Sequence, residues 1–220
     1  MMNFLSQTKK FFEHLNRNVF FLSLAQIFSM TSMNINIITT GLAGFIIAPY
    51  GWLSTFPLSL QFIITMLFTF PCSILMSKYG RKIVFVGGVL SVSTGGLIMT
   101  IALFQKNFYL FCFGSVLLGL GHATNLFYRY AATETVPKNV KPKAMSLVLS
   151  AGLIAALLGP RIYQISADAI LPYLYAGSYL MIAITQLFAL PFIMRIKIPL
   201  PPRSKIGGRK VFEIFYEKSM

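Results

Sequence analysis

Long apolar runs separated by short polar turns are the main pattern along this chain. Residues 18–77 contain no Asp, Glu, Lys or Arg, and a stretch of that length can form two membrane-spanning helices of about 20 residues with a turn between them. Similar runs continue further along, and we place six spans at residues 19–43, 56–76, 83–104, 108–128, 144–167 and 174–194. The pattern therefore predicts an all-α integral membrane protein with six transmembrane helices.

Polar side chains occur inside several of these runs, and the first span contains the most. Such groups are costly against lipid, so we expect them to face other helices or a water-filled cavity. The candidates to line a solute path are Asn34, Asn36, Gln61, His122, Asn125 and Arg161. For the amide side chains, the alternative is hydrogen bonding between packed helices.

His122 and Arg161 each allow a second interpretation. His122 could relay protons, but no carboxylate lies within a predicted span to complete a relay, so we favour a hydrogen-bonded packing role. Arg161 is the only formal charge well inside a span, and it lies about 25 Å along the helix from residue 144. Its side chain can extend towards water from that position, and we favour this interpretation over an anion-binding role.

The composition agrees with a membrane protein. Hydrophobic residues make up 56% of the chain, charged residues make up 11%, and mean hydropathy is +0.72, whereas soluble domains carry about 25% charged residues. The net charge of +14 could indicate nucleic acid binding, but the basic residues lie between apolar spans and form no continuous stripe. The expected partner is therefore the lipid bilayer, without nucleic acid.

The basic residues also predict the orientation in the membrane. With six spans, 17 of the 19 Lys and Arg residues fall on one side, Lys106 falls on the other, and Arg161 lies within a span. Because positive residues concentrate in cytoplasmic loops, we predict that both termini are cytoplasmic. Residues 1–18 then form a cytoplasmic lead-in, residues 19–194 the transmembrane bundle, and residues 195–220 a cytoplasmic tail.

The chain lacks the residue clusters that enzymes and metal proteins need. It has two histidines and five acidic residues, and no acidic residue lies within a predicted span. Cys72 and Cys112 lie in apolar runs without metal-ligand spacing, and the phosphate-binding Gly-Lys-Ser/Thr loop is absent. We therefore expect no catalytic site, no metal and no cofactor.

A short basic turn joins the second and third spans. The stretch PCSILMSKYGRKIVF at residues 71–85 contains Ser73, Leu75, Ser77, Lys78, Gly80, Arg81 and Lys82. Their spacing resembles the signature loop between helices two and three of major facilitator superfamily transporters, where a small residue precedes Leu, Asp, a basic residue, Gly and two further basic residues. Two positions depart from that pattern, because Ser73 replaces the usual Gly and Ser77 replaces the usual Asp.

A second motif lies in the fifth predicted span. This span contains Ala151, Gly152, Ala155, Ala156, Gly159 and Pro160. Small residues four apart allow membrane helices to approach closely, and the arrangement resembles the superfamily's fifth-helix motif, in which small residues precede a Gly-Pro pair. Two ordered motifs on a matching topology identify the chain as similar to the N-terminal six-helix bundle of the family.

The resemblance implies a cytoplasmic gate at the basic turn. The candidate gate residues are Ser77, Lys78, Gly80, Arg81, Lys82 and Glu134. We place Glu134 in the loop after the fourth span, where it could pair with Arg81. In the alternative interpretation, Arg81 only fixes the orientation and Glu134 is solvated. An exposed pair would contribute at most about 1 kcal/mol.

The resemblance also implies secondary transport of a small solute by alternating access, in which two six-helix bundles rock around a central site. Because it covers one bundle, we expect a second six-helix half or a homodimer as partner, in a bacterial-type inner (cell) membrane. The alternative is a non-transporting six-helix protein, either a truncated remnant or an interaction partner. The motif glycines favour transport. Ser77 and Ser115, where many members have Asp and Arg, favour the alternative.

Overall fold

The computed structural model describes residues 17–198, and within that range the chain is helical and has no strands. The helices are α1 (Arg17–Ile47), α2 (Phe56–Tyr79), α3 (Arg81–Phe104), α4 (Phe108–Asn125), α5 (Tyr128–Glu134), α6 (Lys141–Ser166) and α7 (Ala176–Arg195). Six helical segments, of which α4 and α5 together form one, are long and apolar enough to cross a membrane. The prediction of a six-span all-α membrane protein is confirmed, while most of the predicted lead-in and tail lies outside the described residues.

The fourth span is longer than we predicted and is interrupted near its basic end. The Phe127 amide donates to the Thr124 carbonyl at 3.0 Å, a spacing of three residues that tightens the helix locally. The helix then resumes, because the Ala131 amide donates to the Phe127 carbonyl at 2.9 Å. Glu134 is consequently the last residue of α5 rather than part of a loop.

The helices pack in the spatial order α6, α1, α7, α3, α4, α2, and α1 also touches α2, α4 and α5. Exchanging α1, α2 and α3 with α4, α6 and α7 reproduces this set of neighbours: α1 packs on α6 and α7 as α4 packs on α2 and α3. The first helices of the two triplets, α1 and α4, begin at opposite ends of the bundle. The fold is therefore two inverted three-helix repeats, an architecture typical of secondary transporters.

Two apolar clusters fill the interior at opposite ends of the bundle. The basic-end cluster includes Val19, Leu22, Phe85, Tyr128 and Ile193, and the far-end cluster includes Ile35, Val92, Met99, Phe111 and Tyr179. Each contains an edge-on aromatic pair, Phe85 with Tyr128 and Phe111 with Tyr179, with ring centroids 4.7 and 5.4 Å apart. Such pairs add about 1 kcal/mol each beyond the burial of apolar area.

Small residues allow the closest helix contacts. A methyl group added at Gly159 of α6 would lie 2.6 Å from the Asn34 Cβ of α1, so only glycine permits this separation of the two helices. The same glycine belongs to a buried stripe on α6 that includes Ala151 and Ala155. Gly152 lies outside the stripe and has open space around it.

Candidate functional site

A layer of uncharged polar side chains separates the two apolar clusters. We call it the polar layer, and its members are Gln26, Ser29, Ser32, Asn36, Gln61, His122, Asn125 and Gln186, none of them more than 4% exposed. On α7, for example, Gln186 lies between Ile182 of the far-end cluster and Ala189 of the basic-end cluster. The layer is therefore near the middle of the spans, at the depth where secondary transporters place their sites.

A continuous chain of hydrogen bonds links four helices through this layer. The Tyr179 hydroxyl of α7 donates to Thr40 Oγ1 at 2.9 Å, and the Thr40 hydroxyl donates to Asn36 Oδ1 at 2.9 Å. The Asn36 amide of α1 donates to Gln61 Oε1 of α2 at 2.7 Å. The Gln61 Nε2 group lies 3.0 Å from His122 Nδ1 of α4, which is the last member of this series of hydrogen bonds.

The direction of this chain determines the state of His122. Gln61 Oε1 accepts from Asn36, so the Gln61 amide directs its N–H groups at the imidazole. A nitrogen that faces a donor must accept, which leaves the ring hydrogen of a neutral histidine on Nε2. Protonation at Nδ1 would set two donors against each other. The geometry thus fits a neutral His122 that ties α4 to α2.

Several polar atoms of the layer have no hydrogen-bond partner within residues 17–198. They are Gln26 Oε1, His122 Nε2, and both the oxygen and the nitrogen of the Asn125 side chain. His122 and Asn125 are three residues apart on α4 and so share a helix face. A buried amide without partners costs about 1–3 kcal/mol, so these atoms mark a place where water or a polar solute would be stabilised.

A second set of hydrogen bonds joins α1 to α7. The Ser32 hydroxyl donates to Gln186 Oε1 at 2.8 Å, and Gln186 Nε2 donates to Ser29 Oγ at 3.3 Å. Both atoms of the Gln186 amide are therefore satisfied. This contact holds the two helices together.

The structure divides the solute-path candidates into three groups. Asn36, Gln61 and His122 lie in one hydrogen-bond chain, and Asn125 lies beside it with an unpartnered amide. Asn34 is half-buried where α1 meets α6. Arg161 is exposed and lies outside the polar layer.

Six members of the polar layer and its hydrogen-bond chain were not among the predicted candidates, namely Gln26, Ser29, Ser32, Thr40, Tyr179 and Gln186. The first four belong to the first span, which has so many polar residues that the sequence does not distinguish those that make contacts between helices. Tyr179 and Gln186 carried a usable signal, because Gln186 is the only amide in its apolar helix. A lone amide in a membrane helix requires a partner on a neighbouring helix.

The basic end of the bundle is closed by polar contacts between helices. Arg81 of α3 forms a two-pronged ion pair with Glu134 of α5, in which Nε lies 2.6 Å from Oε2 and a second bond joins the same groups. The Lys82 ammonium donates to the Met194 carbonyl near the end of α7. Asn18 and Lys197 exchange two hydrogen bonds of 2.9 and 3.0 Å, which join the start of α1 to the segment after α7.

The turn between α2 and α3 depends on one glycine and one altered position. Gly80 adopts φ 88°, a conformation that side chains disfavour, and Lys78 lies with its ammonium 5.2 Å from the Tyr79 ring centre. The Ser77 hydroxyl donates to the Ile74 carbonyl of its own helix at 2.8 Å. Ser77 therefore bonds within its own helix, whereas an Asp at this position would offer a carboxylate to a neighbouring bundle.

Ser115 packs between helices instead of facing the polar layer. It is fully buried, and its hydroxyl donates to the Phe111 carbonyl at 3.2 Å and lies 3.9 Å from Met99 Sδ. Among the described residues, no three His, Cys, Asp or Glu side chains approach closely enough to hold a metal ion.

Comparison with known proteins gives two matches. The family model described as Major Facilitator Superfamily matches residues 11–216. The chain is also similar to the riboflavin transporter RfnT of Brucella anthropi, with 32% identity over 183 residues, which are 83% of this chain and 46% of that protein. The chain thus spans about half the length of this curated relative.

Proposed function

This chain belongs to the major facilitator superfamily, and on that premise we propose that it is one six-helix half of a carrier that moves a small solute by alternating access. The observation that supports this most directly is the polar layer, since it places uncharged groups with unused hydrogen-bonding capacity at mid-depth in an inverted-repeat fold. In this class of carrier the solute is held at that depth while the halves rock around it.

We further propose a neutral, hydrogen-bonding solute of the riboflavin type. The relative that covers most of this chain is named as a riboflavin transporter, and the polar layer contains amides, hydroxyls and one imidazole but no formal charge. Within it, Asn125 and His122 Nε2 would bind the solute, and Gln61 would hold the His122 ring in place. Asn34 and Arg161 would line the route at the edge of the bundle.

The carrier would need a second six-helix bundle. α2 and α6 belong to the most exposed spans, in which only 11% and 22% of an 18-residue apolar stretch is buried. Both helices therefore have free surface for a partner. We propose a separately encoded half or a second copy of this chain in that role. The complete carrier would lie in a bacterial inner membrane, with both termini of this chain in the cytoplasm.

The test is riboflavin uptake in a bacterial strain that cannot make riboflavin. This chain would be produced alone and together with the C-terminal half of the Brucella anthropi relative, and uptake of radiolabelled riboflavin would be measured. Uptake that requires the second half supports the split carrier, and uptake by the chain alone supports a homodimer. If neither combination exceeds the empty-vector control although both polypeptides reach the membrane, the non-transporting alternative gains.

Asn125→Ala tests the site within the same assay. This substitution removes both unpartnered amide atoms, so we expect uptake to fall at least tenfold, which corresponds to about 1.4 kcal/mol. Thr94→Ala is the matched control, because Thr94 is exposed and bonds only to its own helix. Unchanged uptake in Asn125→Ala would place the site elsewhere.

A further inference from the structure

An apolar cleft lies between α2, α3 and α4 in the half of the bundle nearest the basic turn. It has a volume of about 300 Å³ and is lined mainly by Phe68, Leu75, Tyr79, Ile83, Val84 and Leu120. Tyr79 and Ile83, at the basic end of the cleft, are 50% and 64% exposed. The cleft therefore opens at the outer surface of the bundle, where lipid would surround it.

Gly87 leaves part of the cleft open because it has no side chain. A methyl group added at Gly87 would have no atom within 4 Å, whereas one added at the adjacent Gly88 would lie 2.1 Å from Thr124 Oγ1. The two glycines thus have different roles, since Gly88 allows α3 and α4 to approach and Gly87 leaves space in the wall of the cleft. This space is continuous with the other lining residues.

The interior of the cleft offers no free hydrogen-bonding group. Tyr79 lies at the basic end of the cleft, and the two hydroxyl-bearing residues deeper inside are Ser91, which donates to the Leu117 carbonyl at 2.7 Å, and Thr124, which donates to the Gly121 carbonyl at 2.7 Å. The part of any occupant that enters the cleft must therefore be hydrocarbon. From Ile83 to Ser91 the cleft extends about 12 Å along α3, which is close to the thickness of one hydrocarbon leaflet, about 15 Å.

The mouth of the cleft carries an available positive charge. Lys78 precedes Tyr79 and lies over its ring. The described part of the chain contains two acidic residues, Glu134, which pairs with Arg81, and Asp168, which lies beyond α6 at the other end of the bundle. Within residues 17–198 Lys78 therefore has no acidic partner, and its ammonium is available to an anion beside the mouth of the cleft.

We propose that this cleft binds an anionic phospholipid, with one acyl chain between α2 and α3 beside Gly87 and the phosphate at Lys78. The apolar lining selects the chain, and the ammonium group selects the headgroup. Basic sites between transmembrane helices bind anionic lipids by the same combination of forces. This inference does not depend on the proposed transport activity, so either can fail without the other.

The test uses tryptophan quenching by brominated lipids in bilayer nanodiscs. The full chain would carry Trp52→Phe, which removes the single native tryptophan, together with Phe68→Trp in the cleft wall. Leu67→Trp is the matched control, because Leu67 is the adjacent residue at the same depth, is 59% exposed, and does not line the cleft. Phosphatidylglycerol and phosphatidylcholine, each brominated midway along the acyl chains, are the quenchers.

We expect phosphatidylglycerol to be preferred about fivefold over phosphatidylcholine at Phe68→Trp, with no preference at Leu67→Trp. Lys78→Gln should abolish the preference, and because Lys78 is exposed in the last turn of α2 we expect the substitution to leave the fold intact. Gly87→Leu should fill the cleft and reduce quenching by both lipids, while Gly152→Leu, another glycine with open surroundings, should have no effect.

Three results would overturn the proposal. Equal quenching by both lipids would show ordinary surrounding lipid. An anionic preference that persists in Lys78→Gln would place the headgroup elsewhere. A Phe68→Trp signal that neither lipid quenches, while Leu67→Trp is quenched, would show that another protein segment covers the cleft.

Discussion

His122 accepts a hydrogen bond at one ring nitrogen and has no partner at the other within the described residues. This arrangement agrees with the packing role that we favoured from the sequence over a proton relay. Through Nδ1 the ring is a packing group that joins α4 to α2, and through Nε2 it offers a donor beside the amide of Asn125. Of the two carboxylates in the described part of the chain, Glu134 pairs with Arg81 and Asp168 lies beyond α6, so the geometry favours solute binding over a proton relay.

Gln61→Leu tests the hydrogen-bond chain at the residue scale. This substitution removes the link between Asn36 and His122, and interhelical hydrogen bonds in membranes contribute about 0.6–2 kcal/mol, so we expect a lower unfolding midpoint in detergent and lower uptake. Gln164→Leu, at an exposed amide on α6, is the control and should change neither. Equal stability of the two variants would mean that the chain of hydrogen bonds contributes no net stability to the fold.

Arg81 and Glu134 form an ion pair, one of the two arrangements that the sequence allowed. The continuation of the helix through α5 explains why they meet. Because the helix continues to Glu134, the carboxylate is held against the start of α3 instead of lying in a loop. The Glu134 side chain is 39% exposed, so the pair contributes little to stability. Its value would lie in holding two helix ends together during one stage of transport.

Exchanging the two charges separates a gate from an orientation signal. Arg81→Glu should reduce uptake severalfold, and Arg81→Glu with Glu134→Arg should restore it, since the double variant rebuilds the pair. The free energy of unfolding should change by no more than about 1 kcal/mol in any of these variants. Normal uptake in Arg81→Glu, with the protein correctly inserted, would leave Arg81 as an orientation signal alone.

At the scale of helices, the contact between α1 and α6 depends on one position. Gly159 lies against Asn34, and the buried stripe of α6 continues through Ala155 and Ala151. α6 has most of its remaining surface exposed, so this narrow stripe is its main attachment to the bundle. Loss of close approach at the stripe should therefore loosen the whole helix.

Gly159→Val and Gly152→Val provide a matched comparison on that helix. Both add the same side chain to the same α-helix, so propensity effects cancel, but only the first places atoms against Asn34. We expect Gly159→Val to destabilise the protein by about 1–3 kcal/mol and Gly152→Val to be neutral. Thermal unfolding in detergent measures both, and equal midpoints would contradict the packing argument.

The whole molecule has one basic end and one end with few charges. The basic end carries Lys78, Arg81, Lys82, Arg129 and Arg195, and the hydrogen bonds between Asn18 and Lys197 place the start of α1 and the end of α7 there as well. The opposite end carries Lys106 and Asp168. This asymmetry predicts a preferred orientation of the bundle in the membrane.

Reporter fusions test the orientation. A reporter fused after Met220 should lie in the cytoplasm, and one inserted at Lys106 should lie outside the cell, because positive residues are retained on the cytoplasmic side. Alkaline phosphatase and green fluorescent protein fusions at both sites give opposite signals. An external signal after Met220 would reverse the predicted topology.

The sequence by itself determined the fold class, the six spans and the family, because lengths of apolar run, loop charges and motif spacing are local properties that the bilayer reads directly. The boundary of the fourth span was wrong, since a single tightened turn at Phe127 allows the helix to continue. Only the tertiary structure decided which polar residues meet. That Tyr179, Asn36 and His122 share one network depends on how far each helix is rotated about its axis and which helices are neighbours. Both are set by packing between segments distant in sequence, for which the pattern along one helix carries no information.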